Sequence, residues 1–282
     1  MTSLYLIVAF LALAVWPKSR KLALHFLPWV LFAVCYDCMR FYPNYLVNDI
    51  DIQGLYEAEK SLFGITAQSA QELAAVADGS HTMTPCEYFS VHHCPAADFM
   101  AGVFYLCWVP VPIGFALYLY KEYEWFKRFS WAFLIVNLLG FVGYYIHPAS
   151  PPWYVAQHGF TPIFNTPGNT AALGRWDAMT GLPIFHALYG KNANVFAAVP
   201  SLHAAYMLIT TFYAIASRRK ISMVFIFSII CLGIWWTAVY TGHHYIIDVL
   251  LGILTALAGV ALWEIVYRTT RNKQLRRIHK HD

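Results

Sequence analysis

Charge is what this chain has least of: only 12% of its 282 residues are Asp, Glu, Lys or Arg, about half of the roughly 25% usual in soluble domains. That deficit excludes a disordered chain, which needs low hydrophobicity and high net charge, and argues against a soluble domain. Also absent are an internal repeat, a low-complexity tract, a P-loop, and clustered carboxylates of the kind a two-metal site needs. No cofactor and no metal is therefore expected. What is abundant is apolar surface: 59% hydrophobic residues, with 20 Phe, 19 Tyr and 10 Trp, and a mean hydropathy of +0.49. This composition predicts a polytopic membrane protein whose aromatics sit at the bilayer interfaces, folded as a single domain over residues 1–282.

A spanning helix needs about 20 mostly apolar residues, because each adds about 1.5 Å across a core of about 30 Å. Six stretches meet or approach that length, at 22–40, 99–120, 129–147, 195–217, 221–241 and 245–267. A seventh, 3–16, is short. It resembles the apolar region of a signal peptide but lacks a basic stretch before it and a cleavage site after it, so it reads as a retained helix. The expected fold is all-α, a membrane helical bundle of six core transmembrane helices plus a short N-terminal hydrophobic helix. If every segment crosses, 15 of the 19 Lys and Arg fall in the short links and the tail 268–282 on one side. The positive-inside tendency assigns that side, with the C-terminus, to the cytoplasm. The tail reads as an orientation signal that touches anionic lipid, with no nucleic-acid role, and no protein partner is predicted.

Two long outer loops, 41–98 and 148–194, carry only Lys60, Arg175 and Lys191 as cations. Thr84, Pro85 and Glu87 form a capping box with Pro at the first helical position, predicting a short helix from near Cys86. Leu55, Glu59, Leu62 and Ile65 suggest an amphipathic stretch lying on the membrane. The second loop, rich in Pro and Gly, reads as irregular backbone. Cys86 and Cys94 lie where a disulfide is permitted if the outer side is oxidising; the other four cysteines read as small span residues.

Nine of the 12 His fall at or beyond the outer ends of the spans. Taken singly, a His at an interface is usually a hydrogen-bonded amphipathic residue. Two positions escape that reading. His203 follows Pro200, Ser201 and Leu202, and His244 stands four residues before Asp248, one helical turn away on the same face. Asp248 sits in an otherwise apolar run, where an ionisable group marks a functional site. A carboxylate holding one ring nitrogen of His244 fixes its tautomer and leaves the other lone pair free to attack. His203, at the same membrane level, supplies the second proton-transfer group. The competing reading is a structural polar clamp between helices.

PSLH at 200–203 and the His244-x-x-x-Asp248 pair resemble the second and third motifs of the type 2 phosphatidic acid phosphatase superfamily. Within it, HPASPPWY (147–154), NTPG (165–168), GRWD (174–177), FAAVPSLH (196–203) and WWTAVYTGHHYIID (235–248) are similar to the inositol phosphorylceramide synthase, or aureobasidin-resistance, family. LYEAE from Leu55 and DFMAGVFYLCWVP (98–110) resemble it too. The resemblance implies a phosphohistidine route: His244 attacks phosphorus, Asp248 orients it, and His203 protonates the leaving alkoxide and then deprotonates the incoming alcohol.

The sequence departs from the superfamily's phosphatases in its cations. It has no K-x6-RP motif, and Ala238 stands six before His244 where they carry Arg. The remaining outer-side candidates for phosphate are Arg175, Lys191, the Ser201 hydroxyl and the N–H groups at its helix start. Arg175 with Asp177 reads equally as a structural surface pair, and His243, about 100° round the helix from His244, as a packing or substrate-binding residue. A diester carries one negative charge against nearly two for a monoester, so few cations suit a diester donor. The expected function is transfer of a phosphoinositol or related headgroup from a phosphatidylinositol-like donor to a ceramide-like acceptor, with the site facing periplasm or Golgi lumen. The rivals are a lipid phosphate phosphatase and a His-rich membrane transporter; the latter predicts paired His across spans on both sides.

Overall fold

The computed structural model describes residues 2–190 and 194–278. The chain opens with α1 (Thr2–Val15), α2 (Arg20–His25) and α3 (Leu27–Cys38). The first long connection holds α4 (Gln53–Phe63), β1 (Ile65–Thr66), α5 (Ala70–Ala75), β2 (Thr82–Met83) and α6 (Pro85–Val91), the two strands pairing antiparallel with Ile65 opposite Met83. Then come α7 (Pro95–Leu106), α8 (Pro110–Leu119) and α9 (Tyr123–Ile146). The second connection carries α10 (Pro152–His158), α11 (Gly174–Thr180) and α12 (Ile184–Tyr189), and the chain closes with α13 (Leu202–Ala216), α14 (Ile221–Tyr240) and α15 (Ile246–Ile278).

Among the described residues, four helical runs are long and apolar enough to cross a membrane: Pro95–Leu119, Tyr123–Ile146, Ile221–Tyr240 and Ile246–Lys273. This is an integral membrane protein. Two of the expected spans appear instead as shorter apolar helices, Leu27–Cys38 and Leu202–Ala216, and the N-terminal segment is short as expected, Leu4–Val15. The 22–40 stretch divides at Phe26, where Pro28 sits in the first turn of α3 and has no N–H to continue a helix through it. The 195–217 stretch turns helical only at Leu202, because Ser201 caps α13 there. At 15 residues, α13 spans only about 22 Å.

That short helix is the centre of the bundle. It packs against α9, α14 and α15, and Ala204, Ala205, Met207, Ile209, Tyr213 and Ala214 are fully or almost fully buried, as expected of a helix apolar all round. Gly140 of α9 lies against the Leu202 side chain and Gly143 against the Pro200 ring, closer than any Cβ would allow.

The loops depart from expectation in two ways. Leu55, Tyr56 and Glu59 of α4 face inward while Leu62 is exposed, so the buried face of this helix belongs to the protein core. The second loop is helical in three pieces: Pro152 stands in the first turn of α10 and Pro183 directly before α12, so its prolines start helices. Cys86 and Cys94 are both free thiols, Cys86 buried and Cys94 exposed.

The capping box holds as read. Thr84 Oγ1 accepts from Glu87 N at 3.2 Å, and Glu87 Oε2 accepts from Thr84 N at 2.7 Å. Glu87 also receives the Tyr56 hydroxyl at 2.9 Å and Ala77 N at 2.8 Å, tying α6 to α4. A second box, Ser69 with Glu72, starts α5. Thr84→Ala is expected to cost about 1 kcal/mol, read as a lowered Tm of the detergent-purified protein; an unchanged Tm contradicts a stabilising role for this cap.

Candidate active site

Two helix starts meet at one end of the bundle. The chain reaches the first through an irregular stretch whose carbonyl at Phe196 accepts from Ala149 N at 3.0 Å and Asn44 Nδ2 at 2.8 Å. Ser201 Oγ then accepts from Ala204 N at 3.4 Å as the cap of α13, which places His203 in the first turn. The second start follows a tight turn after α14. Gly242 adopts φ +72°, a conformation costly for residues with a Cβ, and the N–H groups of His243 and His244 both donate to Ala238 O at 3.0 Å.

The two starts are joined directly. Ser201 N donates to Asp248 O at 3.0 Å, and one turn further on Gly252 approaches so closely that a Cβ would stand 2.1 Å from Ser201 O. This contact sets His203 Nδ1 3.0 Å from His244 Nε2 and His244 Nδ1 3.4 Å from Asp248 Oδ2. Tyr245 N holds the same carboxylate oxygen at 2.9 Å. His244 and Asp248 are both buried.

With its proton on Nδ1, the tautomer that faces the accepting carboxylate of Asp248, His244 turns the Nε2 lone pair toward His203, although the 3.4 Å approach of Nδ1 to Oδ2 falls short of a hydrogen bond. His203 Nδ1–H then covers that lone pair. Burial lowers the His244 pKa to about 4, with the Ala198 carbonyl opposing the shift. The imidazole is therefore neutral, the form a nucleophile needs.

These rings line a cavity of about 450 Å³ together with His243, Trp108, Trp153 and Tyr189, and it continues between helices to Phe32 and Tyr36 of α3. Its described lining includes Asp37 but no Lys or Arg. His243 is buried with Nδ1 2.9 Å from Thr241 Oγ1, which supports a packing or substrate-contact role over attack.

The other candidate residues are engaged elsewhere. Arg175 pairs with Asp98 through Nε at 2.8 Å and Nη2 at 2.7 Å and lines a separate cavity of about 310 Å³. Asp177 does not pair with it; its two oxygens accept from Phe185 N and His186 N at 3.1 and 2.8 Å, capping α12. The Ser201 hydroxyl is fully buried in its capping role. Lys191 lies outside the described residues. Sequence reasoning missed the partners that complete the site from the first loop: Cys86 Sγ, 3.4 Å from His244 O, and Glu59, which accepts from the first two N–H groups of α15. The one available signal was an acidic residue on the apolar face of a predicted amphipathic helix.

A family model described as the PAP2 superfamily matches residues 80–262, a range containing His203, His244 and Asp248. The phosphoinositol dihydroceramide synthase of Bacteroides thetaiotaomicron is 55% identical over 266 residues, covering 94% of this chain and 82% of that protein. The inositol phosphorylceramide synthase of Candida albicans is 28% identical over 151 residues, 52% of this chain and 31% of its own length. The inositol phosphorylceramide synthase catalytic subunit of Saccharomyces cerevisiae is 26% identical over 141 residues, half of this chain and a third of its own. No solved structure matches.

Gly252→Ala tests the junction. Its new methyl meets the Ser201 carbonyl, which cannot move without shifting the start of α13. Overpacking of this kind costs about 1–3 kcal/mol, and the catalytic rate is expected to fall further than the residual folded fraction explains. Full activity at unchanged Tm contradicts a tight α13–α15 contact.

Proposed function

This chain belongs to the PAP2 superfamily, and from that premise we propose that it is a membrane lipid phosphotransferase. It moves phosphoinositol, or a closely related headgroup, from a glycerophospholipid to the primary hydroxyl of a ceramide-like acceptor. The observation that carries this reading is the His203–His244–Asp248 chain of contacts, at 3.0 and 3.4 Å, at the wall of a largely aromatic cavity in a chain 55% identical to a phosphoinositol dihydroceramide synthase.

In the first step the donor's phosphorus displaces the His203 N–H from the His244 Nε2 lone pair. The N–P bond forms as the P–O bond to diacylglycerol breaks, and His203 gives its proton to the departing oxygen. Asp248 holds the Nδ1 proton and stabilises the charge on the ring. The acceptor hydroxyl then gives its proton to His203 and attacks phosphorus, and the N–P bond breaks. One phosphodiester has replaced another, with no nucleotide consumed. The absence of Lys and Arg from the described cavity lining favours a singly charged diester over a monoester. Any contribution of Arg175, Asp177, Lys191 or Ser201 to phosphate binding is secondary to this triad.

We place the site on the non-cytoplasmic face, periplasm or Golgi lumen, with the basic C-terminal tail in the cytoplasm. The charge distribution supports that orientation. The same reading takes the three shorter helices with the four longer runs as six core crossings and a short N-terminal helix in one domain.

The test supplies purified protein in lipid nanodiscs with a phospholipid labelled in its headgroup and with ceramide. Labelled sphingolipid is expected, together with diacylglycerol. Release of the labelled headgroup phosphate to water with no labelled sphingolipid establishes a hydrolase instead. His244→Ala and His203→Ala are expected to abolish transfer, and Asp248→Asn to lower kcat by about a hundredfold or more. Without ceramide, a labelled protein adduct is expected in the wild type and not in His244→Ala.

A further inference from the structure

The first four N–H groups of a helix have no partner within it, and α15 begins without an ordinary cap. Tyr245 precedes its first residue, and the positions before that are His243 and His244. No Ser, Thr, Asn or Asp stands there to accept a bond. Asp248, in the first turn, reaches back to Tyr245 N at 2.9 Å, which is half of a capping box. The next two groups are met from the far end of the sequence: Ile246 N donates to Glu59 Oε1 at 2.8 Å and Ile247 N to Glu59 Oε2 at 3.1 Å. Two carboxylates thus divide three N–H groups between them.

Glu59 is fully buried, and among the described residues it takes part in none of the ion pairs, which commit the neighbouring Lys60 to Asp78. What favours its anionic form is the fork of two N–H donors and the positive end of the helix. The titratable groups that interact with it are Asp248 in the first turn of α15 and Cys86 on α6; Cys86 in turn meets Glu87 and Tyr245, and Tyr56 on the Glu59 helix is bound to Glu87. Its position is held in turn by α4, whose Tyr56 hydroxyl is bound to Glu87 and whose start is capped by Asp51 Oδ1 through Leu55 N at 3.2 Å. Cys86 of α6 meets the His244 carbonyl, so the first outer loop grips the His244 turn from two directions.

We propose that Glu59 is a positioning residue for the transfer reaction: by satisfying the start of α15 it leaves Asp248 free to hold His244. This rests on the reading of His244 as nucleophile. The division of labour is visible in the carboxylates. Both oxygens of Glu59 are used, whereas Asp248 Oδ1 has no hydrogen bond among the described residues and Oδ2 lies beside His244 Nδ1. Without Glu59, the nearest carboxylate to the two orphaned N–H groups is Asp248. Its turn toward them withdraws it from His244. The LYEAE run thereby acquires a role that the motifs around the histidines do not supply.

The arrangement has a pH signature. Burial raises the Glu59 pKa to about 7, with the two α15 N–H groups lowering it and Asp248 raising it. Below that pH the protonated carboxyl loses charge and acceptor strength, so kcat falls as pH drops through about 7. His244 does not produce that limb, because it stays neutral down to about 4.

The experiment measures kcat and KM of the full-length protein in nanodiscs from pH 5 to 9, with Tm recorded for each variant. Glu59→Gln is expected to lower kcat by about tenfold to a hundredfold, as small misplacements of reacting groups do, to leave the donor KM within about twofold, and to remove the limb near pH 7. The double variant Glu59→Gln/Asp248→Asn is expected to be no slower than Asp248→Asn alone, since one residue acts through the other. Wild-type kcat and an intact limb in Glu59→Gln overturn the proposal, as do fully additive losses in the double variant. If Glu59→Gln fails to assemble, the wild-type profile decides: no change of kcat between pH 6 and 8 overturns it. Full transfer by His244→Ala sinks the phosphohistidine reading itself, whereas an inactive His244→Ala beside a normal Glu59→Gln sinks only the role of Glu59.

Discussion

The contact on which the site depends is between two backbones. Ser201 N donates to Asp248 O, and Gly252 lets the two chains close to a distance no side chain would permit. That contact fixes the starts of α13 and α15 relative to each other. The imidazole of His203 in the first turn of α13 then meets that of His244, in the turn that leads into α15, at 3.0 Å. The rest of the bundle serves this junction. Gly140 and Gly143 let α9 seat Leu202 and Pro200, and α14 delivers the Gly242 turn from which His243 and His244 emerge.

The start of α15 imposes a second constraint. The positions that would carry a cap are occupied by histidines and a tyrosine, yet α15 still begins with N–H groups that need acceptors in a place remote from water. A local solution would commit Asp248 to capping. The solution found here brings Glu59 from the first outer loop. This explains why the loop is itself built around polar anchors, with Glu87 binding Tyr56, Thr84 and Ala77. A loop that only covered the site would not need such exact placement.

The geometry of the candidate site was legible from short-range spacing. The four-residue spacing of His244 and Asp248 brought them together as read, although His244 sits in the Gly242 turn two residues before α15 begins rather than on the helix itself. That His203 would meet them followed from membrane level, and the observed 3.0 Å contact agrees. The capping box at Thr84 was legible for the same local reason. What the spacing did not reveal is non-local. Glu59 is 187 residues from Ile246, and on a helical wheel it is merely an acidic group beside leucines. The pairing of Arg175 with Asp98 rather than Asp177 is equally non-local. The helices of the second loop were hidden because Pro punctuates both irregular chain and helix starts, and only packing decides between them.

The scarcity of charge has its fullest expression around His244. Asp248 and Glu59 are both fully buried, and neither is balanced by Lys or Arg among the described residues; their partners are helix N–H groups and an imidazole. A superfamily phosphatase binding a doubly charged monoester needs cations. A site already holding two buried carboxylates and lined by aromatics would bind such a substrate against strong repulsion. A diester brings a single charge, and it carries its lipid chains into a cavity lined by Phe32, Tyr36 and Trp108. The phosphoryl group then moves between two alcohols of similar leaving ability, so the site needs proton transfer and alignment more than neutralisation. Ala238, at the position where the superfamily's phosphatases carry Arg, thus fits the diester transfer proposed for the two histidines and their carboxylates.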